Sequence, residues 1–187
     1  DINPRVDLIS GERGFRIIGP ETNAYSNPGD HGLKGGDFNA DGFSDVLITV
    51  LESLSTNILG RVFIVYGNAS STGDVDLASY NNGIEFYATL SSVNSYYAYA
   101  ACFAGDVNGD GIDDILISSY NSTISGQVGA GMVYVVFGQQ AQWSTHGINV
   151  NTLIPNGNPH GFAVGGEYSM GQFGYAVSGT GDINGDG

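Results

Sequence analysis

The pattern Asp-x-Asn-x-Asp-Gly occurs three times in this chain, and its spacing constrains the fold more than any other feature. The copies begin at Asp37, Asp106 and Asp182, so they stand 69 and then 76 residues apart. Two run on to an acid at their ninth position, Asp45 and Asp114, and the third reaches the last residue of the sequence at Gly187. Self-similarity at a long fixed period marks an array of units, each too small to bury its own apolar faces. Other segments keep the same phase. Gly14-Phe15-Arg16-Ile17-Ile18, Gly83-Ile84-Glu85-Phe86-Tyr87 and Gly161-Phe162-Ala163-Val164-Gly165 precede the three copies. Ahead of those lie Val6-Asp7-Leu8, Val75-Asp76-Leu77 and Val150-Asn151-Thr152. Tyr97-Ala98-Tyr99-Ala100-Ala101 aligns with Phe173-Gly174-Tyr175-Ala176-Val177. The first unit has Pro28-Gly29-Asp30-His31-Gly32 in that place, a poor strand sequence.

Oxygen-bearing side chains at alternate positions of a tight loop can all point at one centre. Asp37, Asn39 and Asp41, then Asp106, Asn108 and Asp110, then Asp182, Asn184 and Asp186 have this spacing. Gly42, Gly111 and Gly187 follow and permit the sharp turn. Phe43 and Ile112 offer a main-chain carbonyl at position seven, and Asp45 and Asp114 close the loop at position nine. A hard divalent cation that takes six to eight oxygens in irregular geometry fits such a set, and calcium is the expected ion, about one per repeat. Without a cation, crowded carboxylates repel and raise one another's pKa. An EF-hand would need Glu at position twelve between two helices. Ile48 and Ile117 stand there instead, inside Val46-Leu47-Ile48-Thr49-Val50 and Ile115-Leu116-Ile117, which read as buried strands.

The charge balance follows from this. The chain has 19 Asp+Glu against 5 Lys+Arg, a net charge of −14, and eight of the acids stand at the candidate ligand positions of the three loops. So acidic a chain is unsuited to nucleic acid. No stretch of 18 apolar residues is present to span a membrane. The lone Cys102 has no disulfide partner within the chain and is expected as a small buried hydrophobe. His31, His146 and His160 share no spacing, and the paired carboxylates all belong to loops, so no catalytic residue is assigned. Trp143, Tyr96, Tyr97 and Tyr99 could form a sugar-binding platform; core packing is the favoured reading for the three tyrosines.

After each complete loop comes a polar turn and a strong strand, Gly60-Arg61-Val62-Phe63-Ile64-Val65-Tyr66-Gly67 and Gly131-Met132-Val133-Tyr134-Val135-Val136-Phe137-Gly138. About four short strands per unit, without helical periodicity, predict an all-β chain of antiparallel four-stranded β-propeller blades. Phe173-Gly174, the Asp-x-Asn-x-Asp-Gly-x-x-Asp loops and the Val-Tyr-Val-Val-Phe-Gly strand together resemble the FG-GAP repeat of integrin α subunits and bacterial secreted proteins. The chain departs from that pattern where Gly-Ala-Pro is expected, carrying Thr49-Val50-Leu51 and Ser118-Ser119-Tyr120, and has Phe-Gly only in the third copy. The resemblance implies a seven-bladed propeller, incomplete here. Residues 1–13 would end a preceding repeat, and 14–82 would form a blade with loop 37–45. Residues 83–160 would form a second with loop 106–114, and 161–187 would begin a third, cut within loop 182–187. It implies an extracellular or cell-surface adhesion module with structural calcium, a protein or carbohydrate ligand on the face opposite the loops, and neighbouring blades from further chain. An accessory propeller of a secreted phospholipase or glycosidase is the alternative.

Overall fold

The computed structural model describes residues 15–19, 25–27, 35–51, 58–69, 74–79, 82–89, 96–140, 143, 147–153 and 159–179. In chain order the strands are β1 (Ile17–Ile18), β2 (Tyr25–Asn27), β3 (Val46–Leu51), β4 (Ile58–Val65), β5 (Val75–Asp76), β6 (Gly83–Thr89), β7 (Tyr97–Gly105), β8 (Asp114–Ser119), β9 (Met132–Val136), β10 (Ile148–Asn149) and β11 (Gly161–Gly165). A single turn of helix, α1 (Val150–Leu153), follows β10. Two sheets carry the fold. The first runs β2-β3-β4-β6 in antiparallel order, with β10 added in parallel on the outer edge. The second runs β7-β8-β9-β11, antiparallel throughout. Four antiparallel strands in succession, made twice, are two propeller blades, and the all-β expectation holds.

Burial explains why these segments are strands. β6 alternates strictly, turning Ile84, Phe86 and Ala88 inward. β3 is apolar at nearly every position because both of its faces are covered. Leu47, with Val62 and Ile64 of β4, faces the second sheet and joins Tyr97, Phe103, Ile115, Ile117, Tyr134 and Val136 in one core. Ile48 and Val50, with Phe63 and Val65, face the other way and pack with Leu77, Phe15, Ile17 and Val75. Each fully buried Val, Ile or Phe contributes roughly 1.5–3 kcal/mol of transfer free energy. The blades also approach backbone to backbone: a Cβ on Gly60 would collide with the Tyr97 carbonyl oxygen, so β4 admits only glycine there. The parallel pair β1 and β5 is clipped by an ion pair between Arg16 and Asp74.

The sheets are offset from the sequence units. Residues 83–89 were expected to open the second blade and 161–165 the third. Instead β6 is the fourth strand of the first sheet, and β11 is the fourth strand of the second. A repeat period fixes the spacing of equivalent segments, while hydrogen-bond partners fix which sheet each segment closes. One edge of the first sheet is β2, paired to Thr49, Val50 and Leu51. Pro28–Gly32, read from sequence as a degenerate strand, lies outside the described residues, as do 1–13 and 182–187.

Candidate metal centre

Both complete loops occupy the same end of their blades. Residues 106–113 join β7 to β8, and in the first blade an isolated bridge between Gly36 and Asp45 closes the loop ahead of β3. The turn glycines take the left-handed conformation expected of them, Gly42 at φ 85° and Gly111 at φ 84°. Two positions earlier the loops differ: Gly109 has φ 78°, and Ala40 is held at φ 55°. A left-handed alanine carries about 1 kcal/mol of strain. Ala40→Gly is therefore expected to raise the melting temperature by roughly 1–3 °C, read by calorimetry in chelator. A fall would show that the Ala40 methyl group contributes contacts that outweigh the strain.

The loops repeat one hydrogen-bond network. The Asp37 carboxylate accepts from the amides of Asp41 at 3.0 Å and Gly42 at 2.8 Å. Asp106 accepts from Gly109 at 2.8 Å, Asp110 at 3.0 Å and Gly111 at 2.7 Å. These amides, that of Gly111 foremost, hold the Asp106 carboxyl below its ordinary pKa although burial acts against them. Asn39 Oδ1 accepts from the Asp41 amide and Asn108 Oδ1 from that of Asp110. Asp41 in turn takes the Phe43 amide, and Asp110 that of Ile112, each at 2.9 Å. The side chains at positions one, three and five are thus all turned back onto the amides of their own loop. Both oxygens of Asp37 keep a second lone pair after accepting one amide each, as does Asp106 Oδ2, whereas Asp106 Oδ1 accepts two amides.

Position nine behaves differently. Asp45 and Asp114 are 0% exposed. Asp45 accepts from the amides of Phe38 at 2.8 Å and Gly67 at 2.9 Å. Asp114 accepts from Val107 at 2.8 Å and Gly138 at 2.9 Å. Each ties the start of its loop to the residue that leaves the next strand. Burial pushes both carboxyls up to about 6, against the pull of those amides, and the neighbouring loop acids push in the same direction. A buried anion among anions lacks a countercharge, and a cation in the loop would provide one. Among the described residues no three His, Cys, Asp or Glu side chains are gathered as a formed metal cluster. The oxygen donors nonetheless suit a hard divalent ion, which would draw on the Asn39 and Asn108 amides and on the Phe43 and Ile112 carbonyls as well.

Asp113 was not singled out by the sequence pattern. It sits at position eight of the second loop and accepts a 2.8 Å bond from the Asp37 amide of the first. Its own amide returns a 3.3 Å bond to the Asp37 carbonyl, and Gln139 donates to Phe38 at 3.1 Å. The two loops are thereby stitched across the blade boundary. The third set, Asp182, Asn184 and Asp186, lies outside the described residues. Of the residues weighed as core or platform, Tyr97 is buried and Trp143 packs edge-on to Phe86 with ring centroids 5.6 Å apart. Tyr96 and Tyr99 are not core, because both join a cluster of rings at the surface. Cys102 is half-buried rather than buried.

The FG-GAP repeat family matches residues 97–136, which run from the first strand of the second blade to the end of β9. The first three strands of the second blade thus match an FG-GAP repeat. The match begins with β7, in phase with the sheets rather than with the Gly-led segments. Over 160 residues the chain is 28% identical to integrin alpha-PS2 of Drosophila melanogaster, which covers 81% of this chain and 9% of that protein. The likeness thus reaches into both blades, while the chain spans less than a tenth of the relative's length. No helix among the described residues is long and apolar enough to cross a membrane.

Proposed function

We propose that this FG-GAP chain is a calcium-pinned, non-catalytic propeller module of an extracellular or cell-surface protein, acting in adhesion. The observation that supports it is the duplication of one loop geometry at the same end of successive blades, with Asp113 joining the two. Calcium would be held by Asp37, Asn39, Asp41 and Asp45 with the Phe43 carbonyl. The second ion would take Asp106, Asn108, Asp110 and Asp114 with the Ile112 carbonyl, and the third would use Asp182, Asn184 and Asp186. The ion would neutralise the loop acids and supply no reaction chemistry. The chain's own residues do the positioning: amides orient Asp37 and Asp106, and Asp45 and Asp114 fix each loop to its sheet. The rigid blades then present their opposite end to a ligand.

Titration with calcium, followed by melting in calcium and in chelator, tests this reading. Millimolar calcium at a site of extracellular-type affinity is expected to stabilise by about 1–2 kcal/mol per ion. Asp110→Ala is the informative variant, since Asp110 accepts one main-chain amide and the Asn108 side-chain amide whereas Asp106 accepts three main-chain amides. It is expected to remove one bound ion while costing little stability in chelator. Absence of any calcium-dependent rise in the parent protein would overturn the metal assignment.

A further inference from the structure

The end of the second blade opposite the loop carries a cluster of four tyrosines. Tyr96 stacks on Tyr120 with centroids 5.2 Å apart and planes 21° apart. Tyr99 meets Tyr120 at 4.6 Å and Tyr175 at 5.3 Å, and Tyr120 meets Tyr175 at 5.2 Å. The Tyr99 and Tyr175 hydroxyls lie 3.3 Å apart. Tyr96 is 52% exposed and Tyr175 is 54% exposed, so the cluster opens to solvent on two sides. A shift in the β7–β8 register between Tyr97 and Ala101 buries two adjacent residues, Tyr97 and Ala98, and turns the next ring, Tyr99, toward this surface.

Two independent features set this end apart. The first is backbone strain. Among the described residues six non-glycine positions have positive φ, and five of them are here: Tyr96 at 32°, Ala98 at 60°, Ser125 at 50°, Met170 at 59° and Gln172 at 52°. Strain of this kind gathers where a surface is shaped for use. The second is charge. Between residues 86 and 179 the charged side chains are Asp106, Asp110, Asp113 and Asp114, all at the loop end, together with Glu167. In a chain of net charge −14, one end of this blade is therefore acidic and the other nearly free of charge. At the same end of the blade, Ser169 donates to Gln127. Burial raises the Tyr120 phenol above its ordinary pKa, so it is a neutral donor at physiological pH.

We infer that the Tyr96–Tyr99–Tyr120–Tyr175 cluster is a binding platform for a neutral saccharide. A pyranose has an apolar C–H face that stacks on exposed aromatic rings, and uncharged hydroxyls that pair with phenols and amides. An anionic partner would meet no complementary charge on this patch, and a cationic one only Glu167. The inference deepens the adhesion reading and rests on it, naming the ligand class that the blade ends present.

The test uses the full-length protein in calcium, probed with an array of neutral mannose-, galactose-, glucose- and N-acetylglucosamine-terminated oligosaccharides. At least one class is expected to bind. Tyr175→Ala and Tyr96→Gly are each expected to weaken that binding about tenfold or more. Tyr96→Gly removes the ring while relieving its backbone, so its melting temperature is expected to hold or rise as binding falls. The inference is overturned if no neutral glycan binds, whether because a protein ligand is taken instead or because further chain covers the rings. It is equally overturned if both variants bind as the parent does. A calcium-raised melting temperature without glycan binding overturns the saccharide alone, whereas a missing calcium response overturns the module reading beneath it.

Discussion

Replacing Asp114 with alanine should lower the melting temperature by roughly 6–12 °C in chelator, and by more in calcium, where the stabilisation from that loop's ion is lost as well. The side chain is 0% exposed and its two oxygens receive the amides of Val107 and Gly138. Those amides lie on opposite sides of the loop, one at its second residue and one just beyond β9, so one carboxylate closes both connections. Hydrogen bonds to a charged group contribute about 1.5–3 kcal/mol each, and the stranded donors add a desolvation penalty. Removing the carboxylate also removes its own burial cost, an offset visible in its upward shift to about 6. The net loss is then about 3 kcal/mol. Asp114→Asn keeps one acceptor and turns an NH₂ group toward the other amide, so its loss should lie between those of parent and alanine. Thermal melts of the three proteins in both buffers decide the matter. A loss confined to calcium would mean that Asp114 serves the ion and not the backbone.

The loops were legible from sequence because their determinants are local. Positions one to seven specify side-chain oxygens, a left-handed glycine and an amide ladder within a single turn, and the two described copies reach the same geometry. Position nine was legible as an acid of the loop, whereas its grip on Gly67 and Gly138 was not, since those amides lie 22 and 24 residues downstream. Asp113 escaped notice for the same reason: its partner is 76 residues away in the other loop, where Ser44 occupies the matching position. The alternation in residues 83–89 announced a strand but could not name β4 as its neighbour. Tyr99 was misread as core because period-two reasoning groups it with Tyr97 and β7 breaks that register, while Tyr96 stands just ahead of the strand.

The sign of the pH dependence should reverse when calcium is supplied. In chelator, Asp45 and Asp114 have folded pKa values of about 6, raised chiefly by burial, from an ordinary 3.8. Between these values the folded state binds more protons than the unfolded state, so stability falls as pH rises through about 6. The contribution is fully present below about 4 and lost by about 7, to a limit of roughly 3 kcal/mol per carboxyl. Groups shifted the other way, Asp106 by its loop amides and Asp74 chiefly by its hydrogen bond with Arg16, lose stability only as pH falls below the ordinary carboxylate range, outside this window. A coordinated cation favours the ionised carboxylate, and protons compete with it for the same oxygens. Hence in chelator the melting temperature should be higher at pH 5 than at pH 7.5, and in millimolar calcium it should be lower at pH 5. Scanning calorimetry at the two pH values, with and without calcium, provides the four numbers. The same order in both buffers would separate Asp45 and Asp114 from the ion and leave them as backbone staples alone. A crossing would tie the buried carboxyls, the loops and the cation into one equilibrium.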